Sequence, residues 1–216
     1  MRPHATRSAV VALAAAVLLS AAGGAADDWT WARALLAAGR ADEALPRLEA
    51  ACRARPGDFV AHYYLAYCYG RGGRLVDARR AYGVCVALDR DRPECHYNLG
   101  VILNRLGLYD DAGRAFEEAL LLDPGNADAN FNCGLAHYYA RRPLEAIRYY
   151  REALVLAPGD ADVLYYLALA YEGIDARVAL DIWDEYLREA ARLPAPHPFL
   201  ETARERAALL RAAKTP

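Results

Sequence analysis

The chain has 216 residues, with 26 Lys and Arg against 28 Asp and Glu and a formal net charge of −2. A mildly acidic chain without a basic stripe excludes a nucleic-acid binder held by phosphate contacts. Beyond the first residues, no apolar run is long enough to span a membrane.

Residues 1–26 come first in the chain. Arg2 and Arg7 precede an apolar run from Ala9 to Leu19, and small residues follow through Ala26. That is the charged, hydrophobic and small-residue order of a secretory signal. It predicts export to the periplasm or the medium with cleavage after Ala26; an uncleaved membrane anchor is the alternative. The strongly apolar part is shorter than the roughly 20 residues a spanning helix needs.

From there the chain repeats itself every 34 residues. The clearest unit is Pro93–Asn126, in which two amphipathic stretches, Glu94–Leu106 and Tyr109–Leu122, flank a turn at Gly107. Leu99, Ile102, Leu103 and Leu106 recur at helical spacing in the first, and Ala112, Ala115, Phe116, Ala119 and Leu120 in the second. Gly107 suits the left-handed end of a helix. Asp110 and Asp111 put negative charge in the next first turn, and Pro124 stops that helix. Ala44, Ala78, Ala112 and Ala146 form one column, and Ala32, Ala66, Gly100, Gly134 and Ala168 a second. Leu48, Tyr82, Phe116 and Tyr150 form a bulky third. Small residues let paired helices approach closely and the bulky one fills the space beside them. Asp58, Asn126 and Asp160, each after Pro-Gly, suit the N-cap of the next helix.

The units run over about 25–58, 59–92, 93–126, 127–160 and 161–193. The first matches weakly at its start, around Trp29 and Trp31. The second ends irregularly, with Arg90-Asp91-Arg92 in place of Pro-Gly-Asp. In the fourth, Cys133 and His137 stand where Leu and Tyr are preferred. The fifth loses one residue at its inner turn, so Ala179 and Trp183 take the small and bulky roles. Pro194, Pro196 and Pro198 then form a stiff link, and Phe199–Ala213 reads as one more helix within 194–216.

This pattern resembles the tetratricopeptide repeat family, whose signature is Trp-x2-Leu-Gly-x2-Tyr, then Ala-x3-Phe, then Pro, at a 34-residue period. His96-Tyr97-Asn98-Leu99-Gly100, Ala112, Phe116 and Pro124 carry the match, with His96 replacing Trp. The resemblance covers about residues 27–193. It implies an all-α, right-handed α-solenoid of about five helix–turn–helix hairpins, closed by a C-terminal capping helix. It also implies that the first helix of each hairpin lines a concave groove for a protein or extended peptide.

By that resemblance the fifth position of each repeat looks into the groove or onto its wall. It holds Trp29, Tyr63, Tyr97, Phe131 and Tyr165, all aromatic. Rings give large apolar contact at low entropy cost, and Tyr adds a hydroxyl; packing between neighbours is the alternative use. Asn98 and Asn132 follow in the sixth position, where a carboxamide suits a peptide unit of extended main chain. Arg33, Arg71 and Arg105 fall on groove-facing places and suit a carboxylate. The Lys/Asn clamp by which some family members hold a C-terminal carboxylate is absent. Glu94, Asp128 and Asp162 read as favourable charge at helix N-termini. His62, His96 and His137 read as structural.

The cysteines are Cys52, Cys68, Cys85, Cys95 and Cys133. No C-x-x-C is present, so thioredoxin-like and covalent-haem chemistry is not expected. Export would permit a Cys85–Cys95 disulfide across the irregular turn; buried free thiols are the alternative. No Ser/His/Asp constellation, phosphate loop or metal-spaced cluster is present, so catalysis, a cofactor and a metal are not expected. The expected work is that of an interaction scaffold in assembly of an envelope complex. A self-associating homo-oligomer, or an accessory factor presenting apocytochrome during maturation, are the alternatives. Membrane attachment is expected only if the N-terminal segment is retained. N-terminal sequencing of the exported protein should begin at or near Asp27; intact Met1 in envelope or culture fractions would rule cleavage out.

Overall fold

The computed structural model describes residues 29–213. The export segment expected over residues 1–26 lies outside them. The described residues form eleven α-helices and no strand. These are α1 (Thr30–Ala37), α2 (Ala41–Ala54), α3 (Phe59–Arg71), α4 (Leu75–Leu88), α5 (Pro93–Arg105), α6 (Tyr109–Leu122), α7 (Ala127–Tyr139), α8 (Pro143–Leu156), α9 (Ala161–Glu172), α10 (Ala176–Ala190) and α11 (Leu200–Ala213). None of them is long and apolar enough to cross a membrane. The fold class is the all-α repeat of hairpins that the 34-residue pattern predicts.

The helix ends follow from local chemistry. Asp58 and Asn126 accept hydrogen bonds from the amides of Ala61 and Ala129, at 3.0 and 2.9 Å. Asp160 accepts from Asp162 and Val163 in the same way. Each side chain satisfies a donor that the first helical turn leaves without a partner. Gly107 adopts φ +75°, the left-handed conformation that the end of α5 requires. After α4 the irregular turn has no side-chain cap, and Pro93 opens α5 at its first position. There Arg92 pairs with Asp89 at 2.8 Å, and His96 Nε2 reaches the Arg90 carbonyl at 2.9 Å. His62 ties back to the Pro56 carbonyl at 3.0 Å, so both histidines hold the turn preceding their own helix.

Two compact units divide the chain after Leu108. In the first, α1 to α5 pack each on the next in chain order. In the second, α6 to α11 do the same, with α9 packing on α8 and α10, and α11 lying against α10. Each unit has its own apolar core. In the first, Ala32, Ala44, Ala66, Ala78 and Leu48 are fully buried, and Tyr82 nearly so. In the second, Ala112, Ala146, Ala168 and Ala179 are fully buried, as are Phe116, Tyr150 and Trp183. The small and bulky columns are therefore the hairpin cores. The shortened fifth repeat keeps its fit because Asp175 caps α10 and Trp183 donates to Glu172 at 3.0 Å. Ala203 and Ala207 of α11 are fully buried.

Gly134 shows how close the approach is. A Cβ built there would stand 2.5 Å from Cε1 and 2.6 Å from Cδ1 of the buried Tyr150 ring. Alanine in mid-helix ordinarily gains about 1 kcal/mol over glycine. At Gly134 the ring and its neighbours would have to move, and overpacking of this kind costs about 1–3 kcal/mol. Gly134→Ala should therefore lower the melting temperature, measured by circular dichroism, and Gly134→Leu should lower it further. A melt equal to or above wild type would show that Tyr150 yields freely.

Candidate functional site

The fifth-position rings do not form an open wall. Tyr63 is 3 %, Tyr97 8 % and Tyr165 8 % exposed, and only Trp29 and Phe131 are half-buried. Their contacts within each unit explain why. Trp29 meets Tyr64, with ring centroids 6.3 Å apart. The Tyr63 hydroxyl accepts from Asn98 Nδ2 at 3.1 Å, a buried bond. Phe131 meets Tyr166 at 5.8 Å, and Tyr165 stacks on Phe199 at 4.3 Å. In three of these pairs, position five touches position six of the next repeat. In the fourth, Phe199 opens the capping helix and takes that place. Helical side chains lean toward the N-terminus, so a residue one position further along the neighbouring helix lies level with them. This column is a seam between successive first helices. The expectation that it offers a groove surface is corrected for Tyr63 and Tyr165, whose rings are taken up by packing.

The two asparagines likewise serve the helices. Asn98 is 8 % exposed and bonded to Tyr63. Asn132 is half-buried and donates to the Asp128 carbonyl of its own helix at 2.8 Å. Burial pushes the Tyr63 hydroxyl well above the ordinary tyrosine range, with a smaller opposing effect from Asn98. It therefore stays protonated.

The surface that packing leaves over is the ninth position. Arg33, Tyr67 and Val101 in the first unit, and Leu135 and Leu169 in the second, are all half-buried. The 34-residue register that marks the other columns marks this one too, but its residue types vary, and of its members only Arg33 was expected from the sequence to face the groove. In the first unit the other two expected arginines stand beside it. Arg71 and Arg105 are exposed near the ends of α3 and α5. Arg105 donates to the Gly70 carbonyl at 2.8 Å. Burial, and then the charge of Arg71, lower the pKa of Arg105. Arg33 and Arg71 have no ion pair among the described residues. A small cavity of about 140 Å³ lies next to Arg71, lined also by Leu36, Ala41, Asp42 and Tyr67.

All five cysteines are buried free thiols. Cys85 of α4 and Cys95 of α5 are fully buried side by side, and their mutual hydrogen bond, with burial, raises the Cys85 thiol far above its usual range. In the second unit, folding joins residues that linear spacing did not. Cys133 and His137, four apart on α7, meet Glu117 of α6, where no metal-spaced set was expected.

The seam can be tested apart from any ligand. Tyr63→Phe leaves the Asn98 amide without its acceptor in a buried place, which costs about 1–3 kcal/mol. Urea unfolding should show that loss, and adding Asn98→Leu to Tyr63→Phe should recover part of it. An unchanged midpoint for Tyr63→Phe would show that the pair is not a buried joint.

Tetratricopeptide repeat family profiles match residues 35–100, 93–126 and 127–160. No curated protein matches the sequence. Among solved structures, a MamA protein is 24% identical with a TM-score of 0.72, over 79% of this chain and 96% of that one. MamA from Desulfovibrio magneticus RS-1, from residue 41 to its end, is 18% identical with a TM-score of 0.72, over 77% and 94%. YrrB, described as a TPR protein with an unusual peptide-binding site, is 19% identical with a TM-score of 0.65, over 77% and 83%. At these identities the likeness is one of fold. Hairpins at a 34-residue period, their small and bulky columns buried as the signature requires, and three profile matches between residues 35 and 160 lead to one conclusion: the chain belongs to the tetratricopeptide repeat family.

Proposed function

We propose that the protein is an interaction scaffold that holds an extended, acidic segment of a partner protein on the first-helix face of its first unit. The observation that carries this reading is the pair of neighbouring arginines, Arg71 and Arg105, beside the half-buried Tyr67. Arg71 and Arg105 lie close enough for one charge to disfavour the other, and no carboxylate pairs with Arg71 among the described residues. Two like charges left together on a mildly acidic protein are stabilised by an anionic partner, and guanidinium groups suit carboxylates in particular. Tyr67 offers apolar area and a hydroxyl next to them, and lines a small cavity with Arg71, Leu36 and Asp42. A segment alternating acidic and apolar residues satisfies both features. The export order of residues 2–26 supports a partner in the cell envelope.

Fluorescence anisotropy with labelled peptides, matched in length and hydropathy but differing in Asp and Glu content, tests the reading. Acidic peptides should bind more tightly, and their affinity should fall as salt rises. Arg71→Glu should weaken them about tenfold or more, a loss of at least about 1.4 kcal/mol, without changing the melt, because Arg71 is exposed. Equal affinity for acidic and neutral peptides, or indifference to Arg71→Glu, would refute it.

A further inference from the structure

The second unit holds three metal-ligating side chains at one place. Cys133 and His137 lie on one face of α7, a turn apart, and α6 presents Glu117 to that face. The sulfur, a ring nitrogen and a carboxylate oxygen all lie within 4.8 Å of one another. His137 Nε2 is 3.1 Å from Glu117 Oε1. Cys133 is fully buried, His137 is 5 % exposed, and the Glu117 side chain is 40 % exposed and open to solvent. Tyr149 of α8 stacks on the imidazole, centroids 5.2 Å apart and planes within 6°, and donates to Glu117 Oε1 at 3.1 Å. Gly113, one turn before Glu117, faces the ring: a Cβ there would meet His137 Cε1 and Nε2 at 3.6 Å, an ordinary van der Waals contact. His137 Nδ1 is buried without a hydrogen-bond partner.

Packing does not ask for these residues. The positions equivalent to Cys133 hold Trp31, Leu65, Leu99 and Leu167, and those equivalent to His137 hold Leu35, Tyr69, Leu103 and Tyr171. Only the fourth repeat replaces both apolar residues, and it does so where a carboxylate from the neighbouring helix meets them. The smaller cysteine gives up apolar contact, and the histidine brings a nitrogen that the fold leaves unsatisfied.

We propose that Glu117, Cys133 and His137 form a three-donor site for a thiophilic divalent cation, zinc above all, with a fourth position open to water. Thiolate, imidazole and carboxylate are the donors zinc takes, and one open position is the pattern of its non-structural sites. Ligand atoms around tetrahedral zinc stand about 3.3–3.6 Å apart, given bonds of about 2.0–2.3 Å. The present spread of up to 4.8 Å closes as the ion binds, and the half-exposed Glu117 side chain is the donor with room to move. A thiolate and a carboxylate carry two negative charges, so a divalent cation leaves the buried cluster neutral, whereas a lone thiolate there is disfavoured by burial. Two cations act on this cluster: Arg148, which lies over the Tyr149 ring at 4.3 Å, and Arg142, which is paired with Asp110 at 2.7 Å. The cation enters as its aqua ion and sheds water. The Cys133 proton leaves to solvent, and the imidazole proton moves from Nε2 to Nδ1. No group is oxidised or reduced. With three donors and no acceptor behind Nδ1, this site is weaker than a closed four-ligand centre.

Cobalt(II) alone, added to the reduced full chain without oxygen, is the probe. A near-ultraviolet thiolate-to-cobalt charge-transfer band with tetrahedral visible bands should appear and be displaced by zinc. Cys133→Ser should abolish the charge-transfer band, and a Cys85→Ser/Cys95→Ser double variant should keep it. Glu117→Gln still accepts from Tyr149, so it should fold and bind cobalt about tenfold or more less tightly. If Cys133→Ser does not fold, His137→Gln and Glu117→Gln decide the matter by the same titration. No charge-transfer band at millimolar cobalt would overturn the proposal. So would a band that survives Cys133→Ser, or equal affinity in Glu117→Gln.

Discussion

Each of the two units depends on one close approach, that of the two helices of a hairpin within it. It requires a residue with little or no side chain on the first helix and a ring or large aliphatic group filling the space from the second. At Gly134 the Tyr150 ring occupies the volume of the missing Cβ. Alanine takes the same place at Ala32, Ala66 and Ala168, and all three are fully buried. Because the contact recurs every 34 residues, each hairpin presents nearly the same flanks to its neighbours. Stability in such an array is then a sum over hairpins and the joints between them.

The joints between first helices are where the aromatic residues are used. A ring at position five meets position six of the next repeat, by tilted ring contact in Trp29–Tyr64 and Phe131–Tyr166 and by a hydrogen bond in Tyr63–Asn98. The final joint is made to Phe199, so the end of the array is closed with the chemistry of its interior. His197 strengthens that closure by accepting or donating at Tyr186 Oη, 2.7 Å away, and by reaching Asp162 at 3.3 Å. What remains for a partner is what these joints leave uncovered. In the first unit that is Tyr67 and the arginines, and their charge narrows the kind of partner that fits.

Departures from the repeat are informative because the repeat sets an expectation at each position. The turn after α4 lacks Pro-Gly-Asp and has no side-chain cap, and there the Arg92–Asp89 ion pair and the bond of His96 to the Arg90 carbonyl hold the turn instead. At Cys133 and His137 the replacement is of another kind. Apolar columns acquire donor atoms, and one of the two ring nitrogens gains no partner from the fold. A substitution that weakens packing without mending a turn needs another reason, and the meeting with Glu117 supplies one.

The sequence by itself determined the helices, their ends and their hairpin cores. These rest on interactions between residues a few positions apart, or on columns repeated at one period. Gly107, Asp58, Asn126 and Asp160 act within a single turn, and the small and bulky columns are read by shifting the chain on itself. The binding face was less legible. Columns five and nine both belong to first helices and both tolerate rings, so periodicity alone does not say which is covered. Only the stacking of neighbouring repeats decided that Tyr63 and Tyr165 are seam residues while Tyr67 stays partly open. The Glu117–Cys133–His137 cluster was half-visible. The four-residue spacing of Cys133 and His137 puts them on one face, but the third donor lies on a different helix, and no local rule reports a contact made by tertiary packing.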